Sequence, residues 1–118
     1  MVSRTATSSR TSAPARRPAA RGLPRAWLHT ARVFTALGDP QRQRILLMFE
    51  RGRRLSIGEI VAATPLSRTA VVHHLRVLKA AGVIVCVRAG RHVVGRPEPA
   101  AVRAAIDAVS SYLSERFE

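Results

Sequence analysis

Four histidines, one cysteine and seven acids are the groups of this 118-residue chain that could hold a metal or move a proton, and their spacing suits neither task. His73 and His74 are adjacent, so a helix projects them about 100° apart and they cannot grip one ion together. Cys86 stands alone in an apolar run, which reads as a small structural residue. There is no Ser/His/Asp arrangement, no paired carboxylates at useful spacing and no glycine loop to cradle phosphate. The patterned polar residues lie instead between Leu66 and Gly82. Arg68, Thr69, His73, Arg76 and Lys79 share one helical face there, and Val71, Leu75 and Leu78 recur at i, i+4 and i+7 on the other. Such a face donates hydrogen bonds to base edges and phosphates and does no covalent chemistry. Ser67, Arg68 and Thr69 open the helix, where free amides and the helix dipole already favour phosphate. His73 is placed to meet base edges, Arg76 a phosphate, while His74 leans to the buried side.

Charge points the same way. Nineteen of the 20 basic residues are arginine, against seven acids, for a formal +13. Residues 1–26 hold six arginines and no acid, so the remainder keeps fourteen basic and seven acidic residues, a net +7. The basic balance therefore belongs to the body of the chain as well as its start, and polyanions are the expected partners. A lone cysteine excludes an internal disulfide framework and suits a reducing compartment. No apolar run approaches the roughly eighteen residues of a membrane span, so no membrane partner is expected.

These residues need a scaffold. Residues 1–23, rich in Ser, Thr, Ala, Pro and Arg, read as a disordered basic tail. They have the make-up of a transit peptide, but Pro14, Pro18 and Pro24 interrupt any amphipathic helix. Residues 24–118 read as one domain. Pro24 opens a first helix with Trp27, Ala31, Phe34 and Leu37 at helical spacing, ending at Gly38-Asp39. Pro40 opens a second, with Ile45, Leu46 and Phe49 inward, Arg42, Gln43 and Arg44 outward, and a stop at Gly52. Ser56 and Glu59 form a capping box for a short third helix to about Thr64. A tight connection leads to the helix that starts at Ser67 and stops at Gly82. Two short helices so joined, the second polar on its outer face, make a helix-turn-helix.

The period then changes. Val83 to Val87 and Val93-Val94 flank Arg88-Ala89-Gly90-Arg91, a two-stranded hairpin with arginine on either side of its turn. Its tip, with Arg88 and Arg91, would lie against a nucleic-acid backbone. Pro97 and Pro99 open a last helix in which Val102, Ile106, Val109 and Leu113 form a narrow 4-3-4 seam. That seam and the Trp27, Ala31 and Phe34 stripe bracket the domain, and a shared dimer interface is expected of them. The fold class is thus mainly α with a small β-hairpin, in the order α-α-α-α-β-β-α.

Phe34 to Leu46 (FTALGDPQRQRIL) resembles the opening of the arsenical-resistance-repressor (ArsR) family of winged helix-turn-helix regulators. Ser67, Val71, His74, Leu75, Leu78 and Ala81-Gly82 resemble that family's recognition helix, with the arginine hairpin following at the matching distance. The resemblance covers residues 27–117. It implies a homodimer, paired through first and last helices, that sits on an imperfect inverted repeat of double-stranded DNA and represses transcription, while the arginine-for-lysine bias and high alanine point to a GC-rich genome and so to a bacterial, cytoplasmic and nucleoid-associated protein. It also exposes departures. Ile57 to Thr64 lacks the Cys-x-Cys pair of the family's metal sensors, and residues 97–118 carry Asp107, Glu115 and Glu118 but no histidine. One cysteine cannot make a dithiol sensor. The expectation is a member without the metal-site residues, with no cofactor and an inducing signal the sequence leaves unknown. Val72 stands where the family often has a DNA-touching serine, and it offers only apolar contact, as to a thymine methyl. The alternative expectation is an architectural, sequence-indifferent nucleic-acid-binding protein driven by its arginine-rich tail. An enzyme is not expected.

Overall fold

The computed structural model describes residues 22–118, so the expected tail lies outside the described residues but for Gly22 and Leu23. A 3-10 turn over Arg25–Trp27 leads into α1 (Leu28–Leu37). Then come α2 (Pro40–Leu47), β1 (Leu55–Ser56), α3 (Ile57–Ala63), α4 (Arg68–Ala80), β2 (Ile84–Ala89), β3 (His92–Pro97) and α5 (Pro99–Phe117). The helix-turn-helix and its wing are therefore present, on α3, α4 and the β2-β3 hairpin.

Local signals explain most of the boundaries. The Asp39 carboxylate accepts the Gln41 N–H at 2.7 Å, and Pro40 occupies the first turn of α2, where a missing N–H costs nothing. Ser56 Oγ accepts from Glu59 N–H while Glu59 returns a bond to Ser56 N–H, closing the capping box of α3. Ser67 Oγ accepts the Ala70 N–H to start α4. Gly82, at φ +77°, ends it, with Gly82 N–H on the Lys79 carbonyl and Val83 N–H on that of Leu78. That bond pair is a Schellman motif, and it reverses the chain directly into the sheet.

Three expectations are corrected. The second helix stops at Leu47 and not at Gly52. Phe49 turns into the core at 3% exposure, and Arg51 and Gly52 take left-handed conformations at φ 59° and 72°. The sheet has three strands, because Leu55 and Ser56 pair antiparallel with Gly95 and Val94 in the order β1-β3-β2. The element order is accordingly α-α-β-α-α-β-β-α. Arg42, expected outward, is folded inward with its side chain only 12% exposed.

One core serves all these elements. Val33 and Ala36 of α1, Ile45 of α2, Ile60 of α3, Val71 and Leu78 of α4, and Ala105 of α5 are fully buried. At about 1.5–3 kcal/mol for each large aliphatic side chain removed from water, this cluster is what fixes α4 on the domain. The first and last helices pack on each other beside it. Trp27 meets Tyr112 edge to face at 5.4 Å, and the His29 ring lies 3.2 Å from the Ala101 carbonyl.

Candidate nucleic-acid interface

The outer face of α4 is built by exclusion. Val71, Leu75 and Leu78 are buried against the core, which turns Arg68, Thr69, His73, Arg76 and Lys79 to solvent. Val72, half-buried, sits between the two faces. Arg68, Thr69, Val72, His73 and Arg76 line one shallow concavity along the helix. Among the described residues the ion pairs are Arg42 with Asp39 and Arg96 with Glu98, so neither Arg68 nor Arg76 has an acidic partner. Unpaired guanidiniums on a convex helix, next to free first-turn amides, are free to meet phosphate or base edges.

The helix is held at a defined tilt by its neighbours. Thr64, closing α3, donates its hydroxyl to the Ile60 carbonyl at 3.0 Å and accepts the Leu66 N–H at 3.4 Å. This fixes the short connection to Ser67. From the other side, α2 reaches α4 through Arg42, whose Nη1 lies 3.3 Å from His74 Nδ1. A guanidinium only donates, so in this contact His74 Nδ1 is the acceptor. His74 is therefore a bonded, half-buried residue of the scaffold, while the neighbouring His73 is exposed, the two ring centroids lying 5.6 Å apart.

The wing carries one of its arginines in the turn itself, where the sequence reading places one on either side of it. Gly90 and Arg91 form the two-residue turn between Ala89 and His92, with the positive φ (62°) confined to Gly90, the pattern of a II′ hairpin. Arg88 on β2 and Arg91 at the tip are both exposed. The carboxylates near this framework serve as caps. The Gln41 N–H, with help from Arg42, holds Asp39 below its ordinary carboxylate pKa, and the Ser56 N–H and hydroxyl do the same for Glu59.

The residues expected at a dimer interface divide. Trp27, Ala31, Val102 and Val109 are half-buried within the chain, Trp27 against its own Tyr112. Phe34, Ile106 and Leu113 stay 43%, 53% and 45% exposed. The sequence reading missed the inner stripe of α5, where Ala105 is fully buried and Ala101 packs close to Gly82. Alanines leave too weak a hydrophobic signal to mark a face. Among the described residues no three of His, Cys, Asp and Glu gather around a metal position, and no helix is long and apolar enough to cross a membrane.

A capped basic helix packed on a second short helix, followed by an arginine-tipped hairpin, defines a winged helix-turn-helix protein. Residues 39–85 match the family described as bacterial regulatory protein, arsR family. The arsenic resistance transcriptional regulator ArsR1 of Pseudomonas putida is 32% identical over 89 residues, 70% of either chain. A homologue of the transcriptional repressor SmtB from Synechocystis is 36% identical over 63 residues, which cover 53% of this chain and 47% of that protein. An ArsR-like transcriptional regulator from Rhodococcus has the same fold, with a TM-score of 0.69 at 29% identity over 75% of this chain and 83% of that one. The chain belongs to the ArsR family of bacterial regulatory proteins.

Proposed function

We propose that this protein is a homodimeric repressor that reads an inverted-repeat operator in double-stranded DNA and acts by occupying a promoter. The observation that carries the reading is the unpaired polar and basic face of α4, presented beside an arginine-tipped wing. Ser67, Arg68 and Thr69 enter the major groove first, Val72 and His73 meet base edges, and Arg76 takes a phosphate. Arg88 and Arg91 clamp the flanking backbone. A good bidentate base contact is worth about 1–3 kcal/mol of discrimination, while phosphate contacts add affinity for any sequence. Two copies joined through α1 and α5 would present two such helices, which is what an inverted repeat requires. The tail, residues 1–23, adds charge to this scheme without selecting a sequence.

The test is selection of binding sites from sheared genomic DNA at about 0.15 M salt, where purely ionic attraction is screened. Enrichment of one inverted repeat, with half-sites about one helical turn apart, is the expected result. Retention of DNA with no enriched sequence overturns it in favour of the architectural alternative. In that case deletion of residues 1–23 removes nearly all the affinity.

A further inference from the structure

Between α4 and the sheet lies a cavity of about 180 Å³ that the DNA-reading scheme does not use. Its floor is apolar, made by buried Leu55 and Leu75 and the backbone of Gly95, with Cys86 and Val93 on the wing side. Two cations stand at the mouth. Arg76 and Lys79 both line the cavity and both are solvent-exposed, and among the described residues neither pairs with an acid. They are three apart on one helix, so their charges sit as neighbours and repel.

Size and charge together specify a ligand. An apolar cavity of about 150 Å³ accepts one benzene ring, so a single ring fits the floor of this one. An anion at the mouth relieves the Arg76–Lys79 repulsion and gains charge-assisted hydrogen bonds from both. We propose that the cavity is an effector site for a small monocyclic aromatic carboxylate, with the ring on the Leu55–Leu75 floor and the carboxylate bridging Arg76 and Lys79.

The consequence for DNA rests on the reading proposed above. Arg76 and Val72 line both this cavity and the concavity on the outer face of α4. A carboxylate that engages Arg76 withdraws it from phosphate, and a ring beneath Val93 presses on the wing one residue pair from its turn, at the strand position opposite Arg88. Ligand and DNA therefore oppose each other, and by linkage each weakens the other by the same factor.

Benzoate is the probe, and the single cysteine supplies the readout. In the full-length protein, saturating benzoate is expected to slow alkylation of Cys86 by N-ethylmaleimide at least fivefold. Benzyl alcohol, which has the ring alone, and acetate, which has the carboxylate alone, protect far less at equal concentration. Lys79→Gln weakens benzoate roughly tenfold through loss of one charged hydrogen bond. Methyl resonances of Val72, Leu75 and Val93 shift on the same titration curve, a measurement independent of thiol reactivity. An unchanged alkylation rate with unshifted methyls overturns the site, as does equal protection by acetate or in Lys79→Gln. Affinity for the selected DNA, measured with and without benzoate, separates the two readings. Absence of DNA binding without benzoate counts against the repressor, whereas a filled cavity that leaves DNA affinity unchanged counts against the effector role.

Discussion

Arg42 ties the recognition helix to the joint between the first two helices through His74. From α2 its Nε donates to the Ala36 carbonyl at 2.7 Å and its Nη2 to the Thr35 carbonyl at 3.3 Å, while Nη1 reaches His74 Nδ1 at 3.3 Å. The carbonyls at the end of α1 are thus capped by a residue of the next helix, that of Thr35 together with the Gly38 N–H, and Gln43 does the same for the Leu37 carbonyl. Arg42→Ala is expected to cost about 2–3 kcal/mol, because it removes charged hydrogen bonds and leaves the Ala36 carbonyl and a ring nitrogen short of donors, while the Thr35 carbonyl keeps the Gly38 N–H. Arg42→Lys recovers little, since one ammonium cannot span all three acceptors. Urea midpoints of both variants check this. A loss below 0.5 kcal/mol for Arg42→Ala would show that water replaces the side chain fully.

Acid should loosen the same framework through its caps. Asp39 is held below its ordinary pKa first by the Gln41 N–H, and Glu59 first by the Ser56 N–H. A lowered folded-state pKa contributes stability that is fully present above the unfolded value, about 4, and is lost as pH falls through the folded one. Stability is therefore expected to decline below about pH 4. The Asp39→Asn/Glu59→Gln double variant keeps both caps without titrating, since Asn caps as well as Asp and Gln completes a capping box. Its urea midpoint should fall less between pH 5 and 3. An identical decline in the two proteins would move the acid sensitivity to other groups.

How much of this was legible in the sequence depends on whether the signal is local. Asp39-Pro40, Ser56 with Glu59, Ser67 and Gly82 each declare a helix end through bonds that span at most five residues, and each stands where it was expected. The wing was legible for the same reason, its strands being β-branched and its turn fixed by Gly90. What was hidden is long-range. Leu55-Ser56 carries no strand signal of its own and becomes one only because β3 lies beside it. Arg42 reads as a surface residue until its carbonyl acceptors are brought six and seven residues back in the chain. The cavity by Cys86 draws its walls from separate elements, so no single stretch betrays it.

Under the proposed function, the outer face of α4 and the wing divide into residues that choose a sequence and residues that hold any duplex. Arg68 and His73 face solvent on the first two turns of α4, and Arg91 sits at the wing tip. Arg68→Ala and His73→Ala are expected to lower the preference for operator over random DNA by about tenfold, near 1.4 kcal/mol, within the range of one base contact. Arg91→Ala should weaken both DNAs about equally and reduce the salt slope by about one. Competition binding at two salt concentrations reads both quantities. If all three variants keep wild-type preference and slope, α4 and the wing are not the reading surface.

The last prediction concerns the exposed apolar edge of α1 and α5. Phe34, Ile106 and Leu113 are each more than two-fifths exposed, and Phe117 is 71% exposed. So much apolar surface on two adjoining helices marks an interaction surface, which a second copy covers under the proposed function. Static light scattering on the eluting peak should therefore give twice the chain mass of 12.9 kDa at micromolar concentration. Ile106→Arg places a charge on this edge without disturbing the core, since Ala105 and not Ile106 is the fully buried residue there. The variant should elute at 12.9 kDa with an unchanged circular dichroism spectrum. Its operator affinity should fall about a hundredfold, because two half-sites are no longer engaged at once. A wild-type protein that runs as a monomer removes the homodimer from the proposed mechanism. A monomeric variant that still binds an inverted repeat at full strength would mean that DNA, and not this edge, assembles the pair.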